Sequence, residues 1–250
     1  GETWADLRRL YGLQHVDENM NSGEEIARME QEGRQGTLDI GDVGFEFGAI
    51  ARSRGVTRAH KTAVWSQIPD WAKDPDGHWA LAYTGTIAFL VDKRRLGSVP
   101  RSWKALFASK ARVLIGEVGP TAQANAGVLS AAIALGGAET RLQPALERFA
   151  ALRREGRLVL DNPTASRFEQ LEADVFVMWD FNALNQRARL RHPEDYEVLI
   201  PADGSVTSGY TPIVNRHAPH PNAALLSLEH LSSKDVAQLK EDKLWGTALT

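Results

Sequence analysis

The sequence predicts an α/β protein, and three observations carry that expectation. Short apolar runs alternate with amphipathic stretches along much of the chain, the signature of a mostly parallel sheet covered by helices. Polar and aromatic groups gather where those runs end, as at Trp179-Asp180-Phe181-Asn182, and each group leads into a helix. Open α/β sheets build ligand crevices in this way. One run, residues 79–91, is long for a strand and has Thr84-Gly85-Thr86 at its centre. A strand of that length with a small-residue middle can pass from one sheet to another, so two lobes joined by crossing strands are expected.

The elements follow in order. Residues 4–11 read as an amphipathic helix, with Trp4, Leu7 and Tyr11 at helical spacing and Thr3 as N-cap. A short strand is expected over 13–18. Asn21-Ser22-Gly23 opens a helix running through Met29 and Glu32, with Glu25 completing a capping box from Ser22. Residues 38–43 form a strand that ends in a Gly-rich turn before a helix over 45–54. A loop rich in Pro, Asp and Gly (68–77) precedes the long strand. Pro100-Arg101-Ser102-Trp103 opens a helix capped by Ser102, 112–116 is a strand, and 119–122 lead into a long Ala-rich helix ending at Gly136-Gly137. A helix over 144–155 stops at Gly156, followed by a strand (158–160), a helix (166–172), a strand (175–179), a helix (182–190) and a strand (196–200). After the Pro201-Ala202-Asp203-Gly204 turn come a strand over 210–215, a Pro-bracketed helix over 221–231, and a last helix over 234–240 capped by Ser232 and Ser233.

Bulk properties exclude several classes. With 250 residues, 43% of them hydrophobic, the chain can build one large core or two smaller ones. A net charge of -3 with both signs mixed advertises no basic face, so no nucleic-acid partner is expected. No apolar run approaches the roughly 18 residues of a membrane span. The lack of cysteine is a mild sign of an oxidising compartment. No GxSxG, HExxH or P-loop pattern occurs, and the spacing Gly41-x-x-Gly44-x-x-x-Gly48 is not a dinucleotide fingerprint, so neither a catalytic motif nor a cofactor is expected.

The segments IPDWAKDPDGHWALAYTGTIAFLVDK, VPRSWKALF, GPTAQANAGVLSAAIALGG, VMWDFNAL, IPADGS and APHPNAA come in the order and spacing of bacterial extracellular solute-binding proteins. The chain resembles, over nearly its whole length, the type II periplasmic receptors of ABC importers for polyamines, ferric iron, phosphonates and related solutes. The resemblance implies a Venus-flytrap fold with its ligand in the cleft. Lobe one would hold 1–89 and 209–250, lobe two 90–208, with hinge strands near 84–90 and 207–213. It also implies an inner-membrane ABC permease as partner, a monomer, and a periplasmic or extracellular location with the signal peptide outside these residues. Such receptors begin with a strand that contributes a pocket loop, and the ending KLWGTALT departs from their closing region. One central strand and part of the ligand site are therefore expected to be missing.

Candidate ligand residues sit at strand ends and helix starts. Ser22 and Gly23 offer a helix N-terminus whose free N–H groups suit an anion, or are an ordinary cap. Asp42, Gly44 and Phe45 close a strand and begin a helix; small residues there permit close approach, while Asp42 equally serves as a cap. Tyr83 and Gly85 lie in the crossing strand, where the ring packs on a ligand or fills the hinge core. Thr121 and Ala122 mark a second anion-friendly terminus. Asp180 could hold an ammonium and Trp179 stack on it, with Asn182 beside them, or Asp180 caps the helix and Trp179 is core. Tyr210 begins the return strand. His217 and His220 lack a third ligand at metal spacing, and adjacent tyrosines of the ferric kind are missing, so no metal is expected.

These residues bind and cap; none forms a catalytic constellation, so a non-enzymatic receptor leads. Two helix N-termini favour a small organic anion such as a carboxylate or phosphonate. Asp42, Glu46, Asp180 and Trp179 favour a polyamine instead. A hydrolase using Asp180 with a second carboxylate is the alternative from another class, and a signalling receptor on the same fold is a third.

Overall fold

The computed structural model describes residues 4–170 and 172–233, and packing divides the chain into two units, Gly1–Thr84 with Gly209–Thr250 and Gly85–Ser208. Unit 1 opens with α1 (Ala5–Tyr11), α2 (Ser22–Glu32), β1 (Ile40–Gly44) and α3 (Phe45–Ser53), and β2 (Tyr83–Asp92) carries the chain out of it. Unit 2 holds α4 (Trp103–Ala108), β3 (Val113–Ile115), α5 (Ala122–Ala134), α6 (Gln143–Arg154), β4 (Leu158–Leu160), α7 (Ala165–Glu169), β5 (Val175–Trp179), α8 (Asp180–Arg189) and β6 (Tyr196–Leu199). β7 (Thr207–Val214) returns to unit 1, where α9 (Pro221–Leu231) follows.

Local chemistry accounts for the helix starts. The Ser102 hydroxyl accepts the Ala105 N–H at 3.0 Å and so caps α4, as its sequence position predicts. Proline at the first helical turn opens α6 and α9 at no hydrogen-bond cost. The box on α2 lies one residue earlier than expected. Asn21 and Glu24 exchange the reciprocal bonds, because the Ser22 hydroxyl is engaged elsewhere, accepting the Gly44 N–H at 3.0 Å.

In unit 1, β1 runs antiparallel to β7, with Ile40 opposite Val214 and Gly44 opposite Tyr210. α9 covers the end of this pair, Ala224 and Leu228 closing on Val214 with Ile40 and Leu225 at the margin. In unit 2 the strand order is β6-β2-β5-β3-β4. Alternate residues of these strands face opposite layers. Leu90, Phe176 and Met178 join Leu114, Phe168, Ala183 and Leu190 in one core, whereas Phe89 meets Trp103 edge-on at 4.8 Å, and Trp103 meets Phe149. Helices thus lie on both faces of the unit 2 sheet.

Three expectations are corrected. The strand pairing is not mostly parallel: in unit 1 β1 is antiparallel to β7, and in unit 2 β3 is parallel to β4 and β5, which helical crossovers join, but β2 is antiparallel to both β5 and β6. Residues 13–18 form no strand, and His15 in this segment stacks instead on Trp4 at 4.1 Å. The long strand begins at Tyr83, not at residue 79, because Ala80 and Leu81 bond back to the loop, Ala80 in a bridge with Lys73 and Leu81 through its N–H to the Ala72 carbonyl. Thr3, the helix expected over 234–240 and the segment KLWGTALT lie outside the described residues.

Both changes of unit fall next to a glycine inside a strand, at Thr84/Gly85 and Ser208/Gly209. A β-carbon at Gly209 would collide with the Tyr83 carbonyl oxygen and come within 2.7 Å of Leu81 Cδ1. Backbone cannot yield there as a flexible side chain would. Gly209→Ala is therefore expected to lower stability by about 1–3 kcal/mol, the usual cost of overpacking, measurable as an earlier denaturant midpoint. Wild-type stability in this variant would show that the close approach does not constrain the fold.

Candidate functional site

Candidate residues fall into one group in each unit. In unit 2 the group is built on the start of α5 and on the β5–α8 junction. Thr121 occupies the N-cap of α5 but makes no capping bond, and no acidic side chain stands in the first turn. Its hydroxyl is buried without a hydrogen-bond partner among the described residues. The preceding loop is pinned by Asn125, which accepts the Gly119 N–H at 2.8 Å and donates to the Gly119 carbonyl at 3.0 Å. The first-turn N–H groups of α5 and the Thr121 hydroxyl are thus donors on a stiff frame.

The residue that ties this frame to β5 and α8 is Gln123, which sequence reasoning missed. Its Oε1 accepts the Trp179 N–H at 2.9 Å and the Asn182 side-chain amide at 3.1 Å. The sequence signal is a polar side chain at the second position of a mostly apolar helix. Trp179 is 1% exposed and lies parallel to Phe181, so its indole takes the core alternative rather than presenting a face for stacking on a solute. Asp180 is the first residue of α8, and its Oδ1 accepts the Phe181 N–H at 2.8 Å and the Thr86 N–H at 3.1 Å. Gly85 serves the same junction. A β-carbon there would run into the Phe181 ring and lie 3.1 Å from Asp180 Oδ1, so the glycine admits the Phe181 ring.

In unit 1 the group is acidic and aromatic. Tyr83 donates its O–H to the Asp42 carboxylate and stacks on Tyr210 with centroids 5.3 Å apart and planes 9° apart. Burial, and after it the Asp42 charge, pushes the Tyr83 phenol well above its ordinary value. The N-cap position of α3 is held by Gly44, two residues beyond Asp42. Glu25, which the sequence reading takes as the capping-box partner of Ser22, instead accepts the Asp42 N–H. Burial first and the Asp42 charge second push its carboxyl up to about 8, while the N–H bond works in the opposite direction. Ser22 and Gly44 are joined by the bond described above, Gly23 follows in the first turn of α2, and Phe45 meets Trp79 edge-on at 5.5 Å. His220 bonds Asp39 at 3.0 Å, the His217 N–H donates to Asn215, and no group of three or more metal-binding side chains occurs among the described residues.

The chain belongs to the bacterial extracellular solute-binding proteins, whose family model matches residues 39–244. No curated protein sequence matches. Among solved structures, the periplasmic binding protein AfuA from Actinobacillus pleuropneumoniae, with exogenous fructose-6-phosphate bound, is similar at 17% identity and a TM-score of 0.79, over 99% of this chain and 80% of that one. The ferric binding protein from Campylobacter jejuni is similar at 14% identity and a TM-score of 0.71, over 99% and 82%. The spermidine/putrescine substrate-binding protein PotD from Streptococcus pneumoniae is similar at 12% identity and a TM-score of 0.67, over 98% and 77%. The fold is that of the type II periplasmic binding proteins. Membership implies a small-molecule ligand, an ABC permease as partner and a periplasmic or extracellular location. No described helix is long and apolar enough to cross a membrane.

Gln123→Leu keeps most of the side-chain volume and removes the acceptor shared by Trp179 and Asn182. It is expected to destabilise the protein by about 1–3 kcal/mol, the cost of leaving a buried donor unsatisfied, read from denaturant unfolding. An unchanged midpoint would remove Gln123 from its tying role.

Proposed function

We propose that this protein captures a small solute bearing a carboxylate, phosphonate or phosphate group, holds it unchanged as a monomer, and passes it to an inner-membrane ABC permease. One observation carries the choice of an anion: the start of α5, with no side-chain cap, no acidic neighbour in its first turn and the buried hydroxyl of Thr121, which has no partner among the described residues. A buried hydroxyl without a partner is unfavourable, and a solute oxygen would satisfy it. The helix terminus adds roughly 0.3–1 kcal/mol of attraction for negative charge, and up to about 2 kcal/mol when partly buried. The start of α2 supports the anion less, because Asn21 and Glu24 cap it and Ser22 is committed to Gly44. The sugar phosphate named for AfuA is in keeping with this chemistry.

The second reading is a polyamine-like cation, favoured by Glu25, Asp42, Tyr83 and Tyr210 in unit 1. The alternative of a hydrolase built on Asp180 gains less support, since Asp180 Oδ1 is occupied by two backbone N–H groups at the start of α8. Binding without turnover is the reading we adopt.

Thermal-shift titration against carboxylates, phosphonates, sugar phosphates and polyamines tests the proposal. A solute at about 100 times its Kd stabilises by about 2.7 kcal/mol. Anions are expected to raise the melting temperature. Thr121→Val is expected to weaken their binding about 10-fold while leaving the unliganded melting temperature equal or higher, because a methyl replaces an unsatisfied hydroxyl. A shift with polyamines alone would overturn the anion reading in favour of the cation.

A further inference from the structure

A second property follows from unit 1 and is independent of the solute. Among the described residues, two polar contacts join the first turns of α2 to β1. One is uncharged, the Gly44 N–H donated to Ser22 Oγ at 3.0 Å. The other is titratable: Glu25 accepts the Asp42 N–H, and it packs so closely on the strand that a β-carbon at Gly41 would stand 2.8 Å from Glu25 Oε1. Asp42 in turn accepts the Tyr83 O–H, and Tyr83 stacks on Tyr210. A single chain of contacts therefore runs from α2 through β1 to the ends of β2 and β7 that lie in unit 1.

We propose that Glu25, Asp42 and Tyr83 form a pH-operated latch that holds α2 on β1 when Glu25 carries a proton and loosens when that proton leaves. The charges acting on Glu25 are both negative: Asp42 from β1, and more weakly Asp17 from the segment ahead of α2. Tyr83 faces the pair from β2 with Tyr210 behind it on β7, and α3, packed on both α2 and β1, carries Glu46 in its first turn. Ionising Glu25 thus adds a second negative charge beside Asp42 in a half-buried place, where it is both poorly solvated and repelled.

The sign follows from linkage. Glu25 titrates near 4.5 when unfolded and near 8 when folded, so between those values the folded chain holds more protons. Its contribution is therefore most favourable below about pH 4.5, falls as pH rises, and is fully lost above about pH 8. A protein that works outside the inner membrane meets the pH of the medium, so this window lies within reach.

Hydrogen exchange on the whole chain, corrected for the intrinsic base-catalysed rate, reads the latch directly. Between pH 6 and pH 9, amides of residues 22–26 and 40–44 are expected to lose about 10-fold in protection while α5 in unit 2 does not change. Glu25→Gln, which cannot ionise, is expected to hold that protection at both pH values. Its melting temperature should fall by about 5 °C less than wild type between pH 5 and pH 8. Asp42→Asn removes the nearest charge and should move the wild-type exchange transition to lower pH, an effect that a purely structural role for Asp42 would not produce. The same pH slope in Glu25→Gln as in wild type, or an unmoved transition in Asp42→Asn, would overturn the proposal.

Discussion

The chain changes unit only within β2 and β7, and much of the rest depends on that constraint. The two strands bond where they change unit. The Ala82 N–H reaches the Tyr210 carbonyl in unit 1, and in unit 2 the Thr86 and Thr207 hydroxyls meet at 2.9 Å while the Ile87 N–H reaches the Val206 carbonyl. Glycine is needed on each strand, at Gly209 against the Tyr83 backbone and at Gly85 against Phe181. These contacts leave little freedom in register, and a one-residue slip would turn each side chain to the opposite face. Tyr83, Tyr210 and the Asp180 carboxylate bound to Thr86 inherit their positions from the strands rather than from flexible loops.

The two units solve opposite electrostatic problems. Around the start of α5, unit 2 gathers donors: uncapped backbone N–H groups, the Thr121 hydroxyl, and the Asn182 amide held by Gln123. Neutral dipoles of this kind attract negative charge without carrying a full counter-charge that would itself need solvation. Around Asp42, unit 1 gathers acceptors, and burial together with the Asp42 charge pushes the Glu25 carboxyl up to about 8. The first arrangement keeps its donors whatever the pH over the ordinary range. The second changes charge within it.

Elements whose ends are marked by local chemistry were legible in the sequence. β4, β5 and α9 lie where apolar runs and prolines put them, and Ser102 caps α4 as its position predicts. What remained hidden depends on partners distant in sequence. Asn21 and Ser22 are both good caps, and the tie is broken by Gly44, 22 residues beyond Ser22. Gln123 gains its meaning only from the Trp179 N–H, 56 residues on, and Glu25 only from the β1 backbone. Strand direction was hidden for a related reason: alternation of strand and helix reveals crossovers but not that β2 runs against its neighbours. Among the candidate residues, a core role for Trp179 was one of two readings the sequence offered, whereas the service of Gly85 in admitting the Phe181 ring was not legible.

Fold alone does not choose the solute. Structures named for a sugar phosphate, for ferric iron and for spermidine/putrescine share this architecture with the chain at TM-scores of 0.79, 0.71 and 0.67, with identities of 17% or less. Function on a shared scaffold resides in the few groups at strand and helix ends. In this chain those groups divide by how they answer a charge. A helix terminus with a buried hydroxyl rewards an oxyanion and offers a cation no compensating charge, so discrimination there is a matter of unmet donors. An acid whose burial beside a like charge disfavours ionisation is a weaker guide, since its negative charge is itself costly. In the anion reading proposed above, the donor set at α5 therefore weighs more heavily than the larger number of acidic side chains in unit 1.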